Sequence, residues 1–173
     1  MNNEEWGIMS WDELFMRHVY LIASKSKDSS SKIGAVIVRD NAIISEGYNG
    51  LPRGVNDDVS VRGDKPEKYY WYEHAERNSI FHCARNGIAT KDTTLYSMGC
   101  PCSDCTRAII QSGIKEVVIH SQWEDIGFNN SVDKWSESTA RSADMFMESS
   151  VSVKVFDKVL GVKTMVSGKI YNV

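Results

Sequence analysis

The chain has 173 residues, enough for one domain whose core needs no disulfide staples. Hydrophobic residues at 42% and charged residues at 25% are ordinary proportions for a soluble globular protein and exclude wholesale disorder. The net charge of −3 and pI near 5.8 argue against a protein whose main task is gripping long stretches of nucleic acid, which needs a strongly basic face.

The N-terminus "MNNEEWGIMSWDE" is acidic and has no apolar run of the signal-peptide kind, and no later stretch approaches the length of a membrane span. The expectation is a cytoplasmic protein with residues 1–8 as a tail. Ser10 followed by Glu13 is a capping-box pattern, and Trp11, Leu14, Phe15, Val19, Ile22 and Ala23 recur at helical spacing, which predicts a helix over 10–25. After the polar loop "SKSKDSSSK", the stretch "IGAVIVRDNAIISEGYNG" predicts two strands joined by a tight turn at Asp40 and Asn41. Residues 50–72 mix Pro, Gly, Asp and Arg without a period and read as a long loop, a feature that is usually functional in a compact domain.

Helix and strand alternate from there. The pattern predicts a helix over 74–86 stopped by Gly87, a strand over 93–98, a helix in "CSDCTRAIIQS" stopped by Gly113, and a strand in "KEVVIH". A helix over 133–148, a fifth strand in "VSVKVF" and a terminal hairpin turning at Ser167 and Gly168 complete the chain. This order implies an α/β protein: a three-layer α/β/α arrangement with a mixed five-stranded sheet, extended by the C-terminal hairpin. The aromatic-rich segment 123–135, with Trp123, Phe128 and Trp135, reads as a loop in which packing is the simplest role of the rings.

Three of the four cysteines crowd together at Cys100, Cys102 and Cys105, too few and too clustered for a secreted disulfide framework. Such a cluster points to metal binding or catalysis. Cys83, on a predicted helix face, reads as a small buried hydrophobe. Two cysteines and a histidine are an accepted ligand set for a catalytic zinc, which keeps a fourth position open for water. Cys102 and Cys105 are three apart at a helix start, where both sulfurs share one face and the peptide dipoles favour thiolates. Pro101 suits that start. His74 opens its own predicted helix, so two helix N-termini can converge on one ion although far apart in sequence. Glu76, two residues on, is placed to take a proton from a zinc-activated water and pass it onward. A C-x-x-C taken alone would leave a redox pair or a structural zinc as strong competitors.

The joint pattern His74-Ala75-Glu76 with Pro101-Cys102-Ser103-Asp104-Cys105 resembles the signature of the zinc nucleobase deaminases. Further segments in order, "MSWDELFM", "KDSSSKIGAVIV", "GYNGLPRGV", "HAERN" and "PCSDCTRAIIQSGIKEVV", resemble the deoxycytidylate (dCMP) deaminases within the cytidine deaminase superfamily. "GYNGLPRG" is similar to the loop of the nucleotide-specific branch. The resemblance implies a cytidine deaminase-like fold with a deaminase domain over 9–156, residues 157–173 extending it. It also implies zinc-dependent hydrolysis of dCMP to dUMP and ammonia, supplying thymidylate synthesis. By the same resemblance His74, Cys102 and Cys105 hold the zinc, Glu76 is catalytic, and Asn49, Ala75, Ser26, Lys27 and Ser31 contact the nucleotide. Asn49 would meet the sugar, and the loop of Ser26, Lys27 and Ser31 would lie near the 5′-phosphate.

Gly50, Pro52 and Arg85 fall in segments that resemble regulatory or interface regions. Many members are hexamers activated by dCTP and inhibited by dTTP, with Mg2+ accompanying a triphosphate effector. A solvated polar loop is the competing account of Ser26, Lys27 and Ser31, and an exposed helix-end cation that of Arg85. Ser29, Ser31 and Ser79 depart from the family's usual Pro, Thr and Ala. Residues 50–72 contain no His or Cys, which predicts one zinc per subunit, with His18, His82 and His120 structural and Cys100 a packing neighbour. Two rival functions share the zinc site: a deaminase of polymeric nucleic acid or of dCTP or a 5-modified dCMP, and a non-catalytic zinc-stabilised regulatory module. The acidic balance speaks against a nucleic-acid substrate and partner, and an intact Glu76 speaks against an inert module.

Overall fold

A computed structural model gives the arrangement of residues 7–126 and 135–173. Ser10 caps helix α1 (Trp11–Ala23) by accepting the Glu13 N–H at 3.2 Å. The reciprocal half of the capping box does not form, because the Glu13 carboxylate binds Arg17 at 2.9 Å and also Lys158 from the far end of the chain. Two cations outcompete one backbone N–H for a carboxylate.

Strands β1 (Gly34–Arg39) and β2 (Ala42–Tyr48) form the expected antiparallel hairpin, with Arg39 facing Ala42. Asp40 and Asn41 turn it at φ of 50° and 58°, the two left-handed positions of a type I′ turn that Asp and Asn tolerate. The segment read as a long loop over 50–72 holds a 3₁₀ turn, Ser60–Gly63, and a one-turn helix, α2 (Lys68–Trp71). Its base is closed where Gly50 and Glu73 exchange backbone hydrogen bonds of 3.1 and 2.8 Å. The excursion therefore leaves and returns at one place, directly before His74.

Then come α3 (Ala75–Arg85), β3 (Thr94–Ser97), α4 (Ser103–Gln111), β4 (Glu116–His120), α5 (Ser121–Asp125), α6 (Trp135–Glu148) and β5 (Ser152–Phe156). Short helix α5 occupies the start of the segment read as an aromatic loop, and its Trp123 is buried, while Phe128 and the expected helix start at 133 lie outside the described residues. Gly87 and Gly113 end α3 and α4 at φ of 67° and 77°, as left-handed helix stops do. The sheet order is β2-β1-β3-β4-β5, antiparallel across β2-β1-β3 and parallel across β3-β4-β5. This is the mixed five-stranded sheet that the alternation predicts.

Side chains alternate across the sheet with the strand period of two. Val36, Val38, Tyr96 and Val118 pack with Phe15, Met16 and Val19 of α1, whereas Ile37, Leu95, Val117 and Ile119 pack with Cys83 of α3, Ile109 of α4 and Phe146 of α6. Helices thus cover both faces. The terminal hairpin of β6 (Lys163–Val166) and β7 (Lys169–Asn172) turns at Ser167 and Gly168 as expected, and Leu160, Val166 and Val173 join the α1-side cluster.

Helix α3 is pressed against β2 through Gly47. A Cβ there would stand 2.3 Å from the Ala75 carbonyl oxygen and 2.5 Å from the Ser79 nitrogen. Both obstacles are backbone and cannot swing away. Gly47→Ala is expected to cost about 3 kcal/mol of folding stability, the upper range of overpacking, and to loosen the start of α3 that carries His74 and Glu76. Urea unfolding of the two proteins measures it.

His120 is fully buried at the end of β4. Its Nδ1 lies 2.7 Å from the Tyr20 hydroxyl and its Nε2 2.9 Å from the Lys158 carbonyl oxygen. The carbonyl only accepts, so Nε2 carries the hydrogen and Nδ1 accepts from Tyr20: the ring is neutral. Burial lowers its pKa below the ordinary histidine value. The unfolded chain therefore binds a proton more readily than the folded one. This contribution to stability is complete above about pH 6.5 and is lost as pH falls from there towards the lowered folded value. His120→Gln, which can make the same two hydrogen bonds, is expected to flatten that part of the stability-versus-pH curve, read by urea unfolding between pH 5 and 7.5.

Candidate metal and active site

The site is built at two helix N-termini, that of α4 after strand β3 and that of α3 after the isolated Gly50–Glu73 bridge. His74 is the N-cap residue of α3 and Cys102 that of α4, and neither side chain bonds to its own helix's N–H groups. Both instead point into a common space, joined there by Cys105 from the first turn of α4. The His74 Nδ1 lies 3.5 Å from each sulfur, and the three ligand atoms lie within 4.8 Å of one another. Around a tetrahedral zinc with ordinary bond lengths, an N···S edge is about 3.6 Å. The observed edges match without movement, and the imidazole-plus-two-sulfur donor set suits zinc. Cys105 is fully buried and Cys102 is 8% exposed.

The electrostatics favour a cation. The Cys102 thiol is brought down to about 4, first by the hydrogen bond from Cys105 and then by His74. Cys105 is pushed up by its hydrogen bond to Cys102 and by burial. Both sulfurs have the geometry of ligands. Burial alone would lower the His74 pKa, but the Cys102 sulfur and the Glu76 carboxylate outweigh it and raise it.

Glu76, in the first turn of α3, is 6% exposed. The Ser97 hydroxyl at the end of β3 donates to its Oε1 at 3.1 Å, and its Oε2 stands 3.6 Å from the Cys105 sulfur. One oxygen is anchored and the other faces the cluster. Sequence reasoning singled out none of the groups that brace this arrangement. Glu73 accepts the His74 N–H at 2.8 Å and pairs with Arg77 at 2.5 Å, and Arg77 reaches Asp104 at 3.7 Å, tying the starts of α3 and α4 together. The i,i+4 spacing of Glu73 and Arg77 is the signal that could have found the first pair. Ser138 of α6 accepts the Ser103 N–H at 2.8 Å, a cap supplied from another helix with no local signature.

The other expected site residues are placed less uniformly. Ala75 is fully buried between His74 and Glu76. Asn49 directly precedes the Gly50–Glu73 bridge, but both its amide hydrogens are spent, on Asp28 at 3.1 Å and the Ser31 carbonyl at 2.8 Å, while its Oδ1 accepts the Ile33 N–H at 2.9 Å. Ser26 is buried and donates to the Asn49 carbonyl at 2.8 Å. Lys27 is exposed and pairs with Asp57, and the Ser31 hydroxyl accepts the Ser167 N–H at 3.0 Å. The hub of this loop is a residue the sequence reading passed over. Asp28, 3% exposed, accepts the Ser30 and Ser31 N–H groups, the Asn49 amide and the Lys68 ammonium, the last at 2.6 Å. Pro52 is exposed on the excursion. Arg85 is exposed at the opposite end of α3 from His74, about 15 Å along the helix, and is not brought to the cluster.

Among the described residues no other group of three or more His, Cys, Asp or Glu side chains brings its ligand atoms this close. His18 bonds Glu46 at 2.8 Å, His82 lies 3.3 Å from the Glu46 carbonyl, and Cys100 contacts the Pro101 carbonyl at 3.7 Å. No helix among the described residues is long and apolar enough to cross a membrane.

The profile of the family described as the cytidine and deoxycytidylate deaminase zinc-binding region matches residues 9–121. An uncharacterized deaminase of Aliivibrio fischeri is 35% identical over 146 residues, covering 84% of this chain and 93% of that protein. The human deoxycytidylate deaminase is 40% identical over 119 residues, covering 65% of this chain and 66% of the human one. The deoxycytidylate deaminase of enterobacteria phage T2 is 34% identical, covering 66% and 85%. Among solved structures, the dCMP deaminase of cyanophage S-TIM5 in complex with dCMP and dUMP superposes with a TM-score of 0.62 at 22% identity, over 86% of this chain and all of that one, a likeness of fold. With the zinc-binding region matched across both helix starts that carry His74, Glu76, Cys102 and Cys105, the chain belongs to the cytidine and deoxycytidylate deaminase family.

Proposed function

We propose that this protein hydrolyses dCMP to dUMP and ammonia, with one zinc ion held by His74, Cys102 and Cys105 and with Glu76 as the proton carrier. The observation that carries this reading is the convergence of the three ligand atoms within 4.8 Å, beside a buried carboxylate 3.6 Å from one of the sulfurs. A redox or purely structural cysteine pair has no use for that carboxylate. When bound, zinc supplies Lewis acidity that makes water nucleophilic near neutral pH.

The residues of the chain then divide the work. Ser97 holds Oε1 of Glu76, so Oε2 is the oxygen that takes the proton from the attacking water. Glu76 delivers that proton to N3 of the cytosine ring as water adds at C4. A second proton passes by the same carboxylate to the departing amine, which leaves as ammonia, and the C4 carbonyl of dUMP forms. One water enters and one ammonia leaves. The burial of Glu76 and Cys105 keeps bulk water from levelling these transfers.

The finer assignments rest on family resemblance. They place Asn49 and Ala75 at the nucleoside, Ser26, Lys27 and Ser31 near the 5′-phosphate, and Gly50, Pro52 and Arg85 at an effector or subunit boundary. The domain then runs over 9–156 with 157–173 as its extension. The reading extends to a cytoplasmic homo-oligomer, a hexamer, responsive to dCTP and dTTP with Mg2+ on the triphosphate. Arg85 and Pro52 are both exposed, which supports contacts to another molecule.

The test is ammonia release from dCMP, dCTP, deoxycytidine and a short cytosine-containing DNA, each given to the zinc-loaded protein. Turnover of dCMP in preference to the other three is the expected result. Preference for dCTP or DNA would keep the zinc chemistry and overturn the substrate, and inactivity on all four would overturn dCMP hydrolysis itself.

A further inference from the structure

Residues 163–173 are not needed to complete the sheet or the metal cluster, yet they make a set of specific polar contacts with one loop. The Lys32 N–H donates to the Met165 carbonyl at 3.0 Å, the Gly168 N–H to the Ser30 carbonyl at 2.7 Å, and the Ser167 N–H to the Ser31 hydroxyl at 3.0 Å. Three consecutive loop residues are thereby fastened to one hairpin. The hairpin itself is firmly seated. Val166 and Val173 are buried in the α1-side core, and Leu160 and Val162 both donate to the Val173 carbonyl. Its turn at Ser167 and Gly168, with φ of 50° and 76°, presents both N–H groups outward from the end of the ladder, where the loop takes them.

Asp28, within the same loop, makes a second set of ties. That buried carboxylate gathers the Ser30 and Ser31 N–H groups, Asn49 and Lys68 of α2. The loop carrying Ser26, Lys27 and Ser31 is therefore fastened twice, to Lys68 through Asp28 and to the terminal hairpin. From this geometry we infer that the C-terminal hairpin is a positioning element for substrate binding: it fixes the 26–32 loop in the shape that receives the 5′-phosphate of the nucleotide. The inference rests on the proposed reading of that loop as the phosphate side of a dCMP site. The phosphate gains from a loop that is already ordered, because ordering it at the moment of binding would subtract from affinity. The hairpin's hydrogen bonds go to the loop at Ser30, Ser31 and Lys32, so its effect falls on binding and not on the chemical step.

The test lengthens the turn by inserting two glycines between Ser167 and Gly168. This withdraws the turn's N–H groups from Ser30 and Ser31 while Val166 and Val173 keep their places in the core. The expected result is a rise in KM for dCMP of about tenfold, with kcat, zinc content and the kcat/KM for deoxycytidine each within about twofold of the parent. Deoxycytidine has no phosphate and should not feel the loop. Unchanged KM for dCMP, or equal losses on dCMP and deoxycytidine, would overturn the inference and leave the hairpin as packing alone.

Should the insertion prevent folding, amide hydrogen exchange on the unaltered protein decides. Protection of the Lys32 and Gly168 amides to the level of the β6–β7 ladder, increased further by dCMP, supports the strap; loop-like exchange at Lys32 beside a protected hairpin overturns it. Failure of the functional reading looks different, since the unaltered protein would then release no ammonia from dCMP.

Discussion

Glu76→Ala is expected to lower kcat on dCMP by about 10³- to 10⁴-fold, the upper range for removing a positioned general acid and base, while zinc content stays at that of the parent. The reason is the division of contacts around the carboxylate. None of the three metal-ligand atoms belongs to Glu76, and its Oε1 is held by Ser97, so its removal deletes a proton path and leaves the ligands in place. Glu76→Gln keeps the shape and the Ser97 contact but cannot cycle a proton, so it should be as inactive as the alanine variant. Metal analysis and dCMP turnover on the same samples check both. Near-parental turnover in either variant would assign the proton transfers to another group.

Cys105→Ala carries the second large effect. It removes one of three ligands from a fully buried position, and a two-ligand site cannot close a tetrahedral zinc. Loss of bound zinc and of dCMP turnover to the detection limit is expected, together with a lower Tm, because the bound ion stabilises only the folded state. The contrast with the remaining cysteines makes the prediction specific. Cys83 is equally buried but packs with Ile37, Leu95 and Ile109 in the core, so Cys83→Ala should retain zinc and turnover and lose only stability, about 1 kcal/mol for a small cavity. Cys100 lies outside the cluster, and Cys100→Ala should retain zinc. Zinc loss in Cys83→Ala, or retention in Cys105→Ala, would redraw the ligand set.

The parts of this architecture that were legible in the sequence are those governed by local rules. The type I′ turn follows from Asp40 and Asn41 tolerating left-handed φ, and the ends of α3 and α4 from Gly87 and Gly113, whereas the continuous apolar run "VIV" does not itself tell which face each side chain takes. The grouping of His74, Cys102 and Cys105 was legible because its parts mark themselves: Cys102 and Cys105 share a helix face, and His74 and Glu76 open a second helix. The convergence of the two starts was less so: α4 follows strand β3, but α3 is set by the isolated Gly50–Glu73 bridge, a pairing across 23 residues that no local pattern gives.

What stayed hidden depends on partners distant in sequence. Asp28 and Lys68 look like solvated loop charges until 40 residues of separation are closed into a buried pair, and Ser31 meets Ser167 across 136 residues. Glu13 was misjudged for the same reason, since Lys158 lies beyond any local pattern. The excursion over 50–72 lacked a period because its helical pieces, Ser60–Gly63 and Lys68–Trp71, are only one turn each. The role of Asn49 as a loop organiser was equally unreadable, since nothing in "GYNG" reveals that its amide hydrogens go to Asp28 and the Ser31 carbonyl.

Fold and chemistry meet at the sheet's edge of strand ends. The Gly50–Glu73 bridge delivers His74, the end of β3 delivers Ser97 and then Cys102, and the Glu73–Arg77–Asp104 chain sets the spacing between the helix starts. The most direct measurement of the central claim is dCMP turnover followed while zinc is withdrawn by a chelator and then returned, with bound zinc quantified at each step. Turnover proportional to bound zinc, reaching its maximum at one ion per chain and recovering on return of the metal, is the predicted result. Full turnover in zinc-free protein, or no ammonia from dCMP at one bound zinc per chain, would contradict it.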